Sequence, residues 1–183
     1  MDTQEIKQQL EMSYGDQLKY LKQKYGPVPE NYYLDINCTR KSKVISRTAD
    51  GLFVHHDYEY DPANPLVNDL SKKELAVQFD YMYQHAENLT YCNYLEHFIL
   101  HIKINFLRTE QLKRFIQDGV VNHFIPDLND WYRYRVTLLP WQQNCFNVIK
   151  DNYTDYVMLV EHWHRSLGMD PATTKWQKWS NKR

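Results

Sequence analysis

The sequence predicts an α+β fold in which helices dominate and two short strands lead into a buried helix. Three observations carry this expectation. Apolar residues recur at helical spacing near the N-terminus and again beyond residue 108. Two apolar stretches of strand length, Leu52–Val54 and Leu89–Cys92, stand apart from that periodicity. Between 94 and 107 the chain is apolar almost all round, as a helix enclosed by a core must be.

In chain order, Ile6, Leu10, Tyr14, Leu18, Leu21 and Tyr25 recur at steps of three and four, which predicts one amphipathic helix over residues 4–25. Gly15 weakens its middle, Gly26-Pro27 ends it, and Pro27-Val28-Pro29 makes a stiff connector. Tyr32–Asn37 reads as extended. Arg40, Lys41, Lys43 and Arg47 then form the densest basic stretch in the chain. Such a stretch suits a solvated loop or edge strand as well as a phosphate-contacting stripe. Ala49-Asp50-Gly51 is a turn ahead of the first strand. Residues 57–70 read as loop, with Asp61-Pro62 and Asn64-Pro65 as breakers. Ser71 with Glu74 reads as a capping box for a short helix from Lys72 to about Phe79. Asn88 precedes the second strand, and Asn93 with Glu96 caps the helix Tyr94–Leu107. Three further helices are expected at Thr109–Gln117, Trp141–Lys150 and Tyr153–Ser166, with a basic tail of Lys175, Lys178, Lys182 and Arg183.

The 183 residues are 43% apolar, a globular composition and enough chain for one domain with a real core. A net charge of −1 excludes a dedicated nucleic-acid coat but not an enzyme with a local basic stripe. Three cysteines, with no C-x-x-C pair, argue against a disulfide framework or a cysteine zinc knuckle. Met1–Glu5 lacks the features of a signal peptide, and no apolar run has the length of a membrane span. The expectation is a reduced, cytoplasmic compartment and no membrane partner.

The chemistry concentrates in histidines. His97 and His101 stand four apart, on one face of a helix that should be buried. Buried imidazoles need partners for their nitrogens, and a shared metal or backbone carbonyls would each serve. His55 and His56 are adjacent at the end of a strand, where neighbouring side chains point to opposite faces. One can therefore join a metal while the other faces a substrate.

Taken together, His55-His56, Asn88, and His97 with His101 resemble the motif of the HNH endonuclease family, the ββα-metal nucleases. The nine-residue step from Asn88 to His97 and the H-x-x-x-H helix look like the colicin-type DNase branch, and the block from Tyr83 to His101 is similar to HNH proteins of phages and Firmicute genomes. The resemblance covers residues 51–104, under a third of the chain. It implies a small ββα-metal core over 51–107, embedded in a mostly helical single domain with flanks at 1–50 and 108–183. His56 would be the general base, with its pKa near operating pH. His55, His97 and His101 would hold one divalent metal ion. Asn88 would tie the loop and so aim His56. The reaction implied is hydrolysis of DNA to 5′-phosphate and 3′-hydroxyl ends. A nitrogen site favours zinc, nickel or manganese over magnesium for tight binding.

Asp57, Glu59 and His85 are secondary candidates for orienting a histidine or touching the metal. Arg40, Lys41, Lys43 and Arg47 are candidates for the nucleic-acid contact. Arg133 and Arg135, set among Trp131, Tyr132 and Tyr134, read first as surface strand or loop. A homodimer would be needed for symmetric double-strand cleavage with one site per chain. Two departures from the family pattern stand out: a long insertion between His56 and Asn88, and no recognisable DNA-binding module. A metal-stabilised nucleic-acid- or protein-binding factor with little cleavage is the alternative. A toxin nuclease domain is a third reading.

Overall fold

The computed structural model describes residues 2–64, 67, 69–108 and 119–180. The expected helix Thr109–Gln117, the Pro65 breaker and the tail residues Lys182 and Arg183 lie outside the described residues.

The N-terminal periodicity resolves into two helices, not one. Helix α1 (Thr3–Glu11) starts at Asp2, whose side chain accepts from the Gln4 amide. It ends at Met12, and α2 (Tyr14–Tyr25) starts afresh from Ser13, whose Oγ accepts from the Asp16 amide at 3.1 Å. The break therefore sits at a local N-cap, a residue type that competes with helix continuation. It is not at Gly15, which is helical. Gly26, at φ +80°, terminates α2.

The extended stretch Tyr32–Asn37 reduces to one isolated bridge, Tyr33 with Lys41. Strand β1 (Phe53–His56) lies one to two residues later than expected and includes both histidines. A 3₁₀ turn, Asp57–Glu59, follows at once. Helix α3 (Lys73–Ala76) is shorter than expected, and its box does not form: Ser71 Oγ donates to Asp69 at 2.5 Å instead. Strand β2 (Leu89–Cys92) and helix α4 (Tyr94–Leu107) have the expected bounds. Asn93 accepts from the Leu95 and Glu96 amides at 3.0 Å, and Glu96 Oε2 accepts from the Asn93 amide at 2.9 Å. The two strands pair antiparallel, Phe53 against Cys92 through His56 against Leu89. Beyond them, a π-helical turn (Val120–Phe124) runs into α5 (Ile125–Tyr132), followed by α6 (Pro140–Ile149) and α7 (Tyr153–Ser166). Trp131 and Tyr132 are thus helical, where a strand or loop was expected.

The main core surrounds α4. Leu95, Phe98, Ile99 and Ile102 pack with Ile125, Leu128, Ile149, Tyr156 and Trp163 from α5, α6 and α7. A second cluster, including Tyr32, Leu52, Leu89 and Tyr91, covers the other face of the strands. No described helix is long and apolar enough to cross a membrane.

Candidate metal centre

Strand alternation separates the adjacent histidines. His55 faces α4, its ring centroid 5.1 Å from that of His97 and 5.5 Å from that of His101. His56 turns towards Tyr32, ring centroids 4.4 Å apart. One helical turn brings the Nε2 atoms of His97 and His101 to 3.2 Å. One nitrogen from each of His55, His97 and His101 lies within 4.8 Å of the other two.

Tyr14 of α2 determines which nitrogen of His55 is free. Its hydroxyl donates to the Asp57 carbonyl at 2.9 Å and also meets His55 Nε2 at 2.9 Å. A hydroxyl has one hydrogen to give, so in the second contact it accepts from Nε2–H. That tautomer leaves a lone pair on Nδ1, which is buried and has no hydrogen-bond partner. An orphaned buried acceptor is costly unless something else fills the role. The metal-ligating histidine pattern, with one nitrogen to the ion and the other N–H to an oxygen, fits this arrangement. Two imidazole ligands of a tetrahedral zinc would stand about 3.3 Å apart at ordinary Zn–N lengths. The His97–His101 pair matches that spacing.

His56 is tautomerically ordered too. Its Nε2 lies 3.1 Å from Gln84 Oε1, and the Gln84 amide group donates to the Leu70 carbonyl at 3.3 Å. Gln84 therefore presents its oxygen to His56, which donates through Nε2 and keeps its Nδ1 lone pair. Glu59, carried back by the 3₁₀ turn, sits between the two histidine environments. One carboxylate oxygen is 3.3 Å from His101 Nε2 and 3.8 Å from His55 Nδ1, and the other is 4.0 Å from His56 Nδ1.

Burial sets the protonation states. It drives His55 and His101 well below the usual imidazole range, helped by the neighbouring imidazoles. Burial pushes His97 down to about 3, with His56 adding and Asp69 opposing. It pushes His56 down to about 4, against the hydrogen bond to Gln84, well below the near-neutral value expected for a base. All four rings are neutral at pH 7, the state a metal ligand or a base requires. Glu59 is pushed up to about 8 by burial and by the charge of Asp69.

His56, His97, His101, Glu59 and Arg108 line a cleft of ≈ 580 Å³. Phe124, in the π turn, closes one wall with ring centroids 4.9 Å from both His97 and His101. Gly119 lets that wall approach: a Cβ there would lie 2.9 Å from His101 Nδ1. Arg108 is buried and donates through one nitrogen to the carbonyls of Glu59 and Val67, at 2.7 and 3.0 Å.

Other expected residues distribute unevenly. Asn88 does not touch His56. Its Nδ2 donates to the Met82 carbonyl at 2.8 Å, securing the turn Tyr81–Gln84 that presents Gln84. The Asp57 side chain joins Lys22 and Thr90, both at 2.6 Å, and only its carbonyl serves the site through Tyr14. His85 stands apart, beside Glu87 and Tyr81. Of the basic stretch, Lys41 lies over the Tyr32 ring at 4.2 Å, next to His56. Arg47 is committed to Asp50, the Tyr25 carbonyl and the Tyr91 ring. Arg40 and Lys43 are exposed. Tyr14, Gln84 and Arg108 were missed, because their contacts span 41, 28 and 49 residues of sequence with no local signal. Searches of protein-family models, curated proteins and solved structures find no match to this chain.

Proposed function

We propose that the chain is a metal-dependent endonuclease of the HNH, ββα-metal type, hydrolysing DNA phosphodiester bonds. The observation that carries the reading is the orphaned His55 Nδ1 on a histidine grouped with His97 and His101, one nitrogen of each lying within 4.8 Å of the others. These three nitrogens would hold one divalent ion. Bound there, such an ion would supply charge stabilisation for the scissile phosphate and the leaving 3′ oxygen. The β1–β2–α4 segment is the scaffold of this reading. His56 accepts the proton of the attacking water at Nδ1, while Gln84 holds its opposite N–H. Asn88 acts one step removed, by fixing the turn that carries Gln84. Lys41, Arg40 and Lys43 are the cations of the basic stretch left to meet a DNA backbone, and a two-fold dimer would allow both strands to be cut.

The test is plasmid nicking with a panel of zinc, nickel, manganese and magnesium and a chelator control. His56→Ala should keep the fold and the metal and lose cleavage by roughly 10²–10⁴-fold. Full activity in that variant, or chelator-resistant cleavage by the parent protein, would sink the mechanism. One observation favours the second reading, a metal-stabilised binding factor: the Glu59 carboxylate stands 3.3 Å from His101 Nε2, and as a fourth protein ligand it would fill the position that a catalytic site keeps open. Zinc-dependent stabilisation without cleavage of any DNA would decide for it.

A further inference from the structure

We propose that Glu59 is a fourth protein ligand of this centre, closing it through Oε2 in the resting protein, so that a phosphate must displace it to reach the ion. The inference rests on the proposed metal centre. Its support is geometric. A single oxygen, Oε2, lies 3.3 Å from His101 Nε2 and 3.8 Å from His55 Nδ1, so the carboxylate stands beside the three-histidine group, which it would join on binding the ion. Its companion, Oε1, points to the base, 4.0 Å from His56 Nδ1. The carboxylate thus reaches from His55 and His101 on one side to His56 on the other.

The backbone delivers it there. The 3₁₀ turn directly after β1 folds Glu59 back under the strand, and Arg108 holds its carbonyl at 2.7 Å. Arg108 donates its hydrogen bonds to main-chain carbonyls, so its guanidinium acts on the carboxylate through charge alone. Among the described residues, the ionisable nitrogens within 4.0 Å of that carboxylate are three imidazoles. Burying a carboxylate is unfavourable unless its charge is matched, and the field of Arg108 only partly offsets the burial of Glu59. An ion shared with the ring nitrogens would supply the missing charge, and three imidazoles with one carboxylate form an ordinary zinc donor set.

The consequence is functional. A fourth protein ligand takes the position where a substrate oxygen would enter, and its charge lowers the pull on an anion. Removing it should weaken the hold on the ion and open the ion to phosphate. Zn²⁺ affinity, read by competition with a chromophoric chelator, should fall at least about tenfold in Glu59→Gln. Co²⁺-loaded Glu59→Gln should show shifted visible absorption bands, and inorganic phosphate should perturb them at lower concentration than in the parent protein. Equal Zn²⁺ affinity with superimposable Co²⁺ spectra overturns the proposal. If the parent protein binds neither ion, the metal centre itself falls, and this inference with it. A crystal structure of the Zn²⁺-loaded parent protein decides the matter without a variant. Oε2 within about 2.2 Å of the ion is the expected result, and a carboxylate turned away beyond about 3 Å overturns it.

Discussion

At the residue scale, Tyr14 is the least conspicuous determinant of the site. One hydroxyl satisfies two buried groups and orders the His55 tautomer. Tyr14→Phe should leave His55 Nε2–H and the Asp57 carbonyl without their partner, at about 1–3 kcal/mol of stability. On the proposed reading, the same variant should bind zinc about 10–100-fold more weakly, because nothing then holds the His55 proton on Nε2. Chemical denaturation and chelator competition measure the two effects separately. An unchanged zinc affinity would remove Tyr14 from the account of the site.

At the element scale, local signals were legible where the chemistry that makes an element lies inside it. The Asn93–Glu96 box and the nearly all-round burial of α4 specify that helix from within, so its bounds and those of β2 could be read directly. The N-terminal break could not be, because Ser13 fits the interior of an amphipathic pattern as well as a cap. Helix α5 has local signals of its own, with Pro126 in its first turn and Ile125, Leu128 and Trp131 at three-residue steps. The interleaved arginines and tyrosines at its end fit a surface strand or loop equally well. In the site, the histidines were legible from spacing, whereas Tyr14, Gln84 and Arg108 depend on tertiary approach. Gly51 shows the same dependence. It adopts φ +76°, and a Cβ there would lie 2.4 Å from Val148 Cγ2 and 3.0 Å from the Asn144 carbonyl of α6. Gly51→Ala should therefore cost roughly 1–3 kcal/mol and lower Tm by several degrees. Adding Val148→Ala should recover only part of this, since the backbone strain remains. Thermal melts of the single and double variants test that ordering.

At the scale of the whole molecule, the buried imidazoles tie stability to pH. His55, His56, His97 and His101 are held below the unfolded value of about 6.5, so unfolding in mild acid takes up protons. Their contribution is complete above about pH 6.5 and is lost as pH falls towards about 4 for His56 and about 3 for His97. Glu59, held up at about 8, releases a proton on unfolding and favours the fold as pH falls, and Asp57, also raised by burial, acts in the same sense. Four imidazoles outweigh two carboxyls. Chelator-treated protein should therefore melt at a lower temperature at pH 5 than at pH 7, as read by scanning fluorimetry. A constant or rising Tm would contradict the assignment of neutral, buried rings. On the proposed reading, zinc at pH 7 should raise Tm, and His97→Ala should abolish that increment.

His55 and His97 are 42 residues apart in sequence, yet their rings meet. Bringing such distant points of a free chain together costs about 4 kcal/mol of loop-closure entropy. In the folded protein the β1–β2 register and the cap of α4 have already met that cost. On the proposed reading, a disordered peptide carrying the same three histidines should therefore hold an ion about a thousandfold more weakly than the folded protein.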